Sequence, residues 1–420
     1  MARIHSVNAS ARCSDPKAQI GSGCLQAGHG LVGDAHAGLS EREVSLLGIE
    51  SVWRVNHEQG INAGPGSFAE NLTTEGLDLL SLRLGDRLQV GEQALLEVVQ
   101  IGKPPSDSHT YNYQGVSILP REGVFCRVLR GGPVAAGDNI AVLGGRTMRV
   151  ACLIDNSVEP RSRYWGEHGL SFLLEVESQR LLLDTGASAT ILGHNLALRQ
   201  VSPRDLHAVA LSHGHRDHTG GLGLLLQAHP RLPLYAHPAV CEPRYSKRGD
   251  ETHEIGMPPE IIAQVAQGEL HTSRGPQEIV PGVWTTGEIV DRPEPEGRGA
   301  GHLVRRDGRM LPDPYIDDLS LVLRTERGLT LLCGCCHAGL LNTLEQVRRN
   351  FGAYPRVIAG GTHLVGSDAA GIAHVIARLQ EIGVEALYPN HCTGQAAYVA
   401  LATALGDSVH PCPAGTVLEV

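Results

Sequence analysis

The eleven residues Leu211-Ser-His-Gly-His-Arg-Asp-His-Thr-Gly-Gly221 hold three histidines and an aspartate, His213, His215, Asp217 and His218. The run before them, Asp205-Leu-His-Ala-Val-Ala-Leu211, is short, apolar and β-like, and residues 222–228 read as the start of a helix. The four side chains therefore sit on a strand-to-helix loop. His213 and His215 are two apart and point the same way in an extended segment. Asp217 and His218 follow where the helix begins and point elsewhere, so one short loop can feed two adjacent metal ions. Imidazole and carboxylate are ligands that zinc, manganese and iron accept. A single His-x-His reads as an ordinary polar loop; His-x-His-x-Asp-His followed by Thr-Gly-Gly points to metal.

Three later stretches repeat one pattern. Gly328-Leu-Thr-Leu-Leu-Cys-Gly-Cys-Cys-His-Ala-Gly339, Val357-Ile-Ala-Gly-Gly-Thr-His-Leu364 and Ala386-Leu-Tyr-Pro-Asn-His-Cys-Thr-Gly394 read as buried strands whose exits deliver His337, His363 and His391. Repeated delivery of one ligand type at strand ends is how a metal site is assembled between sheets. Upstream, Asp184-Thr-Gly186 leaves a strand pair. An aspartate there either accepts N–H bonds that orient metal-binding histidines or closes an ordinary turn. Residues 241–316 are rich in Pro, Gly and charge, with one helix over 259–267 and a β-like run over 278–289. They read as a lid-like insertion over the site, and His253, His271 and His302 within it as surface histidines.

These phrases resemble the metallo-β-lactamase superfamily, an αββα sandwich with one or two metals between its sheets, over about residues 149–420. Gly-Cys-x-His, Gly-Gly-x-His-Leu and His-Cys-Thr-Gly are similar to those of its subgroup around dihydropterin-ribofuranosyl-aminobenzene-phosphate synthase. The resemblance implies that His213, His215 and His337 hold one metal and Asp217, His218 and His391 the other. By strand order Asp317 or Asp318 can take the place of His337, and Cys335 sits where the superfamily often has a ligand or bridging aspartate. His363 is either a ligand or faces the substrate, while Cys333, Cys336 and Cys392 pack. The implied cofactors are two divalent ions, zinc foremost, with manganese or iron as alternatives. A water between them loses a proton near neutral pH and attacks a carbonyl or phosphorus, with Asp217 orienting it and moving the proton. The expected function is a metal-dependent hydrolase, or related lyase or transferase, acting on a pterin- or phosphate-containing small molecule. Iron would open a redox alternative.

At 420 residues two domains are expected, with a glycine-containing join, Leu143-Gly-Gly-Arg-Thr-Met148, between domains over 1–145 and 149–420. Residues 1–145 read as mostly β. Short strands such as Arg87-Leu-Gln-Val90 alternate with Gly-rich turns, and Gly-Asp pairs recur at 33–34, 85–86 and 137–138, the punctuation of a β-barrel. Gly33-Asp-Ala-His-Ala-Gly38, Phe68-Ala-Glu-Asn-Leu-Thr-Thr-Glu-Gly76, Glu97-Val-Val-Gln-Ile-Gly-Lys103 and Gly131-Gly-Pro-Val-Ala-Ala-Gly-Asp138 resemble a MOSC domain. That resemblance implies sulfur handling or a molybdopterin-type ligand, and links the chain to molybdenum-cofactor chemistry. His36 and Arg42 are placed to contact an anionic ligand, with Glu70 and Asn71 near the same pocket. The family's usual cysteine is missing from Gly102-Lys-Pro-Pro-Ser-Asp-Ser-His109, which argues against persulfide carriage, and Cys126 reads as a buried small side chain. The competing view is a MOSC-led molybdopterin-binding or sulfur-handling protein with the metal domain in support.

A net charge of −10 without a Lys/Arg-rich run argues against nucleic acid as partner. Ten cysteines without disulfide-scaffold spacing, no signal peptide and no apolar run of about 18 residues make the cytoplasm the expected compartment and exclude a membrane partner. A small-molecule substrate remains the expected partner, and the sequence leaves the oligomeric state open.

Overall fold

The computed structural model describes residues 2–13, 15–103, 112–144, 148–299, 301–325 and 327–420. The middle of the join (145–147) and the proline stretch over 104–109 lie outside the described residues. The chain divides into two compact units, Met1–Arg146 with Thr325–Gly328, and Thr147–Arg324 with Leu329–Val420. Among the described residues no helix is long and apolar enough to cross a membrane.

The first unit is built on an eight-stranded sheet in the order Ile140–Gly144, Arg87–Val90, Ala94–Ile101, Val124–Arg130, Val44–Gly48, Leu72–Glu75, Arg3–Ala9 and Ala18–Gln19. Alternation along the strands sends Leu88, Val90, Leu96 and Val98 to one shared interior. The sheet closes on itself: Ile4 N–H donates to the Asp138 carbonyl at 2.8 Å, and Ile140 N–H to the Ala2 carbonyl at 2.9 Å. Gly137-Asp138 lies at this seam, and the Gly-Asp pairs all make turns. Gly33, Gly85 and Gly137 all have φ near +90°, a region open to glycine, and Asp86 and Asp138 each accept a backbone N–H three residues upstream, from Arg83 and Ala135.

The second unit is a four-layer sandwich with mixed sheets. One sheet runs in the order Glu269–Thr272, Pro233–Ala236, Ala208–Ala210, Gln179–Leu183, Ser171–Val176, Met148–Ile154, Val417–Glu419. The other runs Glu278–Val280, Val283–Thr285, Ser320–Thr325, Gly328–Cys333, Val357–Gly361, Ala386–Asn390. Strand alternation explains the layers. Leu181, Leu183, Ala208 and Ala210 face Leu321, Leu323 and Leu332 between the sheets, whereas Leu182, Val209 and Val322 turn outward to the helices. Helices Ala189–Leu198, Leu222–Ala228 and Pro259–Val265 cover the first sheet; Leu340–Phe351, Ala369–Ile382 and Gln395–Leu405 cover the second. Leu340–Phe351 shows why such segments are helical. Leu340, Leu344, Val347 and Phe351 recur at three- and four-residue spacing on its buried face, and Gly352 ends it in the left-handed conformation.

Within each sheet the central strands are parallel: Gln179–Leu183 with Ala208–Ala210 and Pro233–Ala236, and Gly328–Cys333 with Val357–Gly361 and Ala386–Asn390. Their carboxyl ends open on the loops that carry Asp184, His213, Cys335, His337, His363 and His391. Residues 241–316 are not one insertion. Helix Pro259–Val265 and strands Glu269–Thr272, Glu278–Val280 and Val283–Thr285 belong to the core layers, because Ile261, Val265, Val280 and Val283 are buried there despite the Pro- and Gly-rich sequence around them. Only Arg244–Arg248, Glu251–Glu254, His302–Arg306 and Arg309–Pro312 form a separate, antiparallel four-stranded accessory sheet.

Candidate metal centre

Two groups of side chains meet at the strand ends. One donor atom each from His213, His215 and His337 lies within 4.8 Å of the others, all three buried. Beside them, His218 Nε2 lies 3.2 Å from His391 Nε2 and 3.2 Å from Cys335 Sγ, and Asp217 Oδ2 lies 3.4 Å from His391 Nε2 and 3.6 Å from His218 Nε2. His213 also falls within 4.8 Å of the His218 and Cys335 donors, which joins the two groups. The loop divides at the helix start: His213 and His215 precede it, His215 with extended backbone, and Asp217 and His218 lie on the short helix Arg216–Thr219.

The outward nitrogens of His213, His218, His337 and His391 are tied to protein. Asp184, fully buried and at φ +59°, accepts the Ser212 N–H (2.7 Å), the Ser212 hydroxyl (2.7 Å) and His218 Nδ1–H (2.7 Å). With its proton on Asp184, the Ser212 oxygen accepts from His213 Nδ1 at 2.9 Å. His337 Nδ1–H donates to the Gly297 carbonyl at 2.9 Å, and His391 Nδ1–H to Asn156 Oδ1 at 3.0 Å, while His391 N–H donates to Asp155 at 2.7 Å. These bonds fix tautomers that aim lone pairs inward, as partners behind metal-binding imidazoles do.

The donor set fits divalent cations. Among the described residues His337 Nε2 is buried without a partner, and so is His215 Nε2. His213 Nε2 and His215 Nδ1 face each other at 3.0 Å. Buried lone pairs so close repel unless a proton or a cation lies among them. The charge pattern agrees. Burial, reinforced by neighbouring imidazoles for His213 and His337, holds His213, His215 and His337 well below the usual histidine range. Burial also opposes charge on His218, but the Asp184 and Asp217 carboxylates outweigh it and raise that imidazole to about 9. Burial would lift Asp217, yet His218 and His391 hold it well below the ordinary carboxylate value. Imidazole, carboxylate and thiol together suit zinc, and without the thiol manganese or iron equally.

The remaining expected residues take other places. Asp317 pairs with Arg244 at 2.7 Å and accepts Gly214 N–H at 2.8 Å, while Asp318 accepts Ala338 N–H at 2.8 Å. Both brace the ligand loops and stand outside the donor groups. His363, at φ +48°, packs its ring 4.2 Å from that of His337, and burial lowers it to about 4. Every cysteine is free, Cys335 and Cys336 included.

Several residues at the site carried no signal in the sequence. Arg244, fully buried, reaches Asp313 (3.0 Å), Asp317 and the carbonyls of Ala239 and Glu242. It packs so tightly on the His-x-His loop that a Cβ on Gly214 would stand 2.4 Å from its guanidinium and 2.0 Å from the Val240 carbonyl. His302 is not a surface histidine: its ring lies 5.4 Å from that of His215 and its Nδ1 2.7 Å from the Tyr315 hydroxyl. Tyr315 in turn stacks on His337 at 4.2 Å. Exposed His168 sits 3.4 Å from Asp217. By contrast His253 is exposed, and His271 stacks on Tyr235 away from the cluster. No fixed spacing relates these positions to the ligand loop, so tertiary structure alone gathers them.

The first unit has a cavity of about 330 Å³ whose lining includes Lys17, His36, Arg42, Asn71, Lys103 and Phe125, with no carboxylate among its described lining residues. Buried Lys17 pairs with Asp34 at 3.0 Å. Asn71 Oδ1 accepts the Ser45 N–H and hydroxyl, leaving its buried Nδ2 without a partner. Glu70 does not line the cavity. It is fully buried and accepts Gly66 N–H (2.6 Å) and the Thr73 hydroxyl (2.7 Å), organising the turn. Cys126 is fully buried and burial pushes its thiol far up, the opposite of a reactive sulfur.

The metallo-beta-lactamase superfamily pattern matches residues 164–328 and the MOSC domain pattern residues 33–141. The chain is 30% identical over 262 residues, 59% of its length and 88% of the relative's, to the 7,8-dihydropterin-6-methyl-4-(beta-D-ribofuranosyl)-aminobenzene-5'-phosphate synthase of Methanocaldococcus jannaschii. A shorter match, 36% identical over 63 residues, spans 24% of the hydroxyacylglutathione hydrolase of Edwardsiella ictaluri. The crystal structure of Tm1679, a metal-dependent hydrolase of the beta-lactamase superfamily, superposes with a TM-score of 0.56 at 27% identity, covering 65% of this chain and 99% of that one. The chain belongs to the metallo-β-lactamase superfamily of enzymes, its metal-dependent hydrolase-like domain preceded by a MOSC domain.

Proposed function

We propose that the second unit is a two-metal hydrolase, or a closely related lyase or transferase, for a small molecule containing a pterin or a phosphoryl group. One observation carries this reading. Donor atoms from loops on both sheets converge, and the outward nitrogens of His213, His218, His337 and His391 are already bonded, which leaves inward lone pairs for cations. His213, His215 and His337 would hold one ion; Asp217, His218 and His391, with Cys335 beside them, would hold the other, zinc being the best match to this set. Bound divalent ions would supply Lewis acidity and a water of lowered pKa. The chain supplies the rest. Asp217, ionised and one-fifth exposed, reaches the open side of the cluster, where it would orient a water and accept its proton. Asp184, Ser212, Asn156 and the Gly297 carbonyl keep the imidazoles from rotating, so little reorganisation accompanies reaction. The likeness to the Methanocaldococcus jannaschii synthase is what favours a pterin- or phosphate-bearing substrate. The test is turnover of phosphoesters, lactones and pterin derivatives by protein loaded with zinc or manganese. Loss on chelation and return on re-addition are expected, and a metal-loaded protein inert to every class would overturn the reading.

The cationic cavity of the first unit supports a second, compatible activity: binding of an anionic, molybdopterin-type ligand through Lys17, Arg42 and Lys103. Sulfur carriage has no support there, since Cys126 is buried and residues 104–111 contain no cysteine.

A further inference from the structure

The accessory sheet brings one more polar group to the metal centre. His302 opens the strand His302–Arg306, and its ring stands 5.4 Å from that of His215 and 6.4 Å from that of His337. The ring is packed closely by Gly299, where a Cβ would meet it at 2.5 Å. Its backbone is fixed as well: Asp313 N–H donates to the His302 carbonyl at 3.1 Å, and His302 pairs with Ser246 in the sheet. The sheet is pinned to the ligand loop by Arg216 N–H donating to the Ile255 carbonyl at 2.8 Å and by Arg244 between Asp313 and Asp317. His302 therefore cannot drift from the cluster without the loop moving too.

Its tautomer is set by a hydrogen-bond chain. Gly299 N–H donates to the Tyr315 oxygen at 3.1 Å, and that hydroxyl lies 2.7 Å from His302 Nδ1. Tyr315 is 1% exposed, and its phenolic O–H is a donor that needs an acceptor in that buried position. Nδ1 accepts it, which places the imidazole proton on Nε2. The half-buried ring thus carries a fixed N–H donor near His215 and His337.

We propose that His302 is a substrate-positioning residue whose Nε2–H donates to an oxyanion, such as a phosphoryl oxygen, of the molecule bound at the metal centre, with Tyr315 holding that tautomer. This inference rests on the two-metal hydrolase reading for its site but assigns a contact that reading does not require. The deep imidazoles are occupied as ligands, so specificity for an oxygen-rich group falls to side chains at the edge, where His302 stands.

The test uses the full chain loaded with zinc and titrated with inorganic phosphate, comparing wild type with His302→Phe, His302→Gln and Tyr315→Phe. Metal content, read by elemental analysis, should be equal in all four. His302→Phe should weaken phosphate binding about tenfold, the effect of losing one charge-assisted hydrogen bond. His302→Gln, which keeps an N–H donor, should stay within about threefold of wild type, and Tyr315→Phe, which preserves the stacking on His337 but releases the tautomer, should fall between them. Equal phosphate affinity in His302→Phe and wild type, including no measurable affinity in either, overturns the proposal. Failure of the hydrolase reading looks different: phosphate binding that depends on His302 in a metal-loaded protein that turns over no substrate class.

Discussion

His213, His215 and His337 are buried imidazoles held neutral by that burial, whereas Asp217 and His218, on the next turn of the same loop, both lean toward charge. The difference comes from what stands behind each group. Hydroxyl and carbonyl groups back the neutral imidazoles: Ser212 behind His213, Gly297 behind His337. A buried carboxylate, Asp184, backs His218. One loop therefore presents a neutral half, ready for a cation at any ordinary pH, and a charged half, where a cation must displace a proton. We infer that the two halves differ in affinity, in pH response and in how each fails when its support is removed.

The largest expected effect comes from removing the one carboxylate of the charged half. Asp217→Asn should lower turnover about a thousandfold, the scale of a lost proton acceptor combined with a lost ligand. It should leave the neutral half loaded, so elemental analysis would read about one ion per chain against about two in wild type. Equal loss from both halves would show that they are not separable.

Arg244→Met strikes the neutral half instead. It leaves Asp313 and Asp317 buried without their cation and frees the His-x-His loop, so stability should fall by about 3–5 kcal/mol in denaturant melts. Loss of the ion held by His213, His215 and His337 should precede loss of the other. A variant as stable as wild type would remove Arg244 from the account.

The pH response separates the halves with an intact sequence. His218 is raised from the ordinary 6.5 to about 9. In metal-free protein its contribution to stability is complete below the unfolded value and is lost as pH rises through about 9. Because a metal must displace that proton, affinity of the charged half should rise by at least about tenfold per pH unit up to about 9. Affinity of the neutral half should stay flat from pH 7 upward, since its histidines are already unprotonated. Zinc titrations at several pH values would read both slopes; parallel slopes would contradict the assignment.

Cys335→Ser should have the smallest effect, a loss of about threefold in affinity of the charged half, where the thiol adds to three other donors. In the cobalt-substituted protein the thiolate-to-metal absorption should vanish with it. An unchanged spectrum would place the sulfur outside the coordination sphere.

Much of this layout was legible in the sequence because local pattern determines it. Alternating apolar residues marked the strands, and histidines at three strand exits marked where the chain converges. The support was not legible. Asp155 and Asn156 look like the polar end of a strand, yet they hold His391, 235 residues away in the case of Asn156. Arg244 stands in a stretch rich in Pro, Gly and charge, yet it is among the most buried side chains of the unit. The helix over 259–267 and the β-like run over 278–289 were legible as elements, but strand Glu269–Thr272 was not, nor that all of them join the core layers. His302 and Tyr315 are joined only by the accessory sheet. Ligands carry spacing along the chain; the residues that hold them are chosen by space.

Metal content of the freshly purified chain tests the central claim most directly. The account predicts about two divalent ions per chain, zinc foremost, with chelation removing the one in the charged half first as pH falls. A chain that remains metal-free after incubation with zinc, manganese and ferrous iron would contradict it.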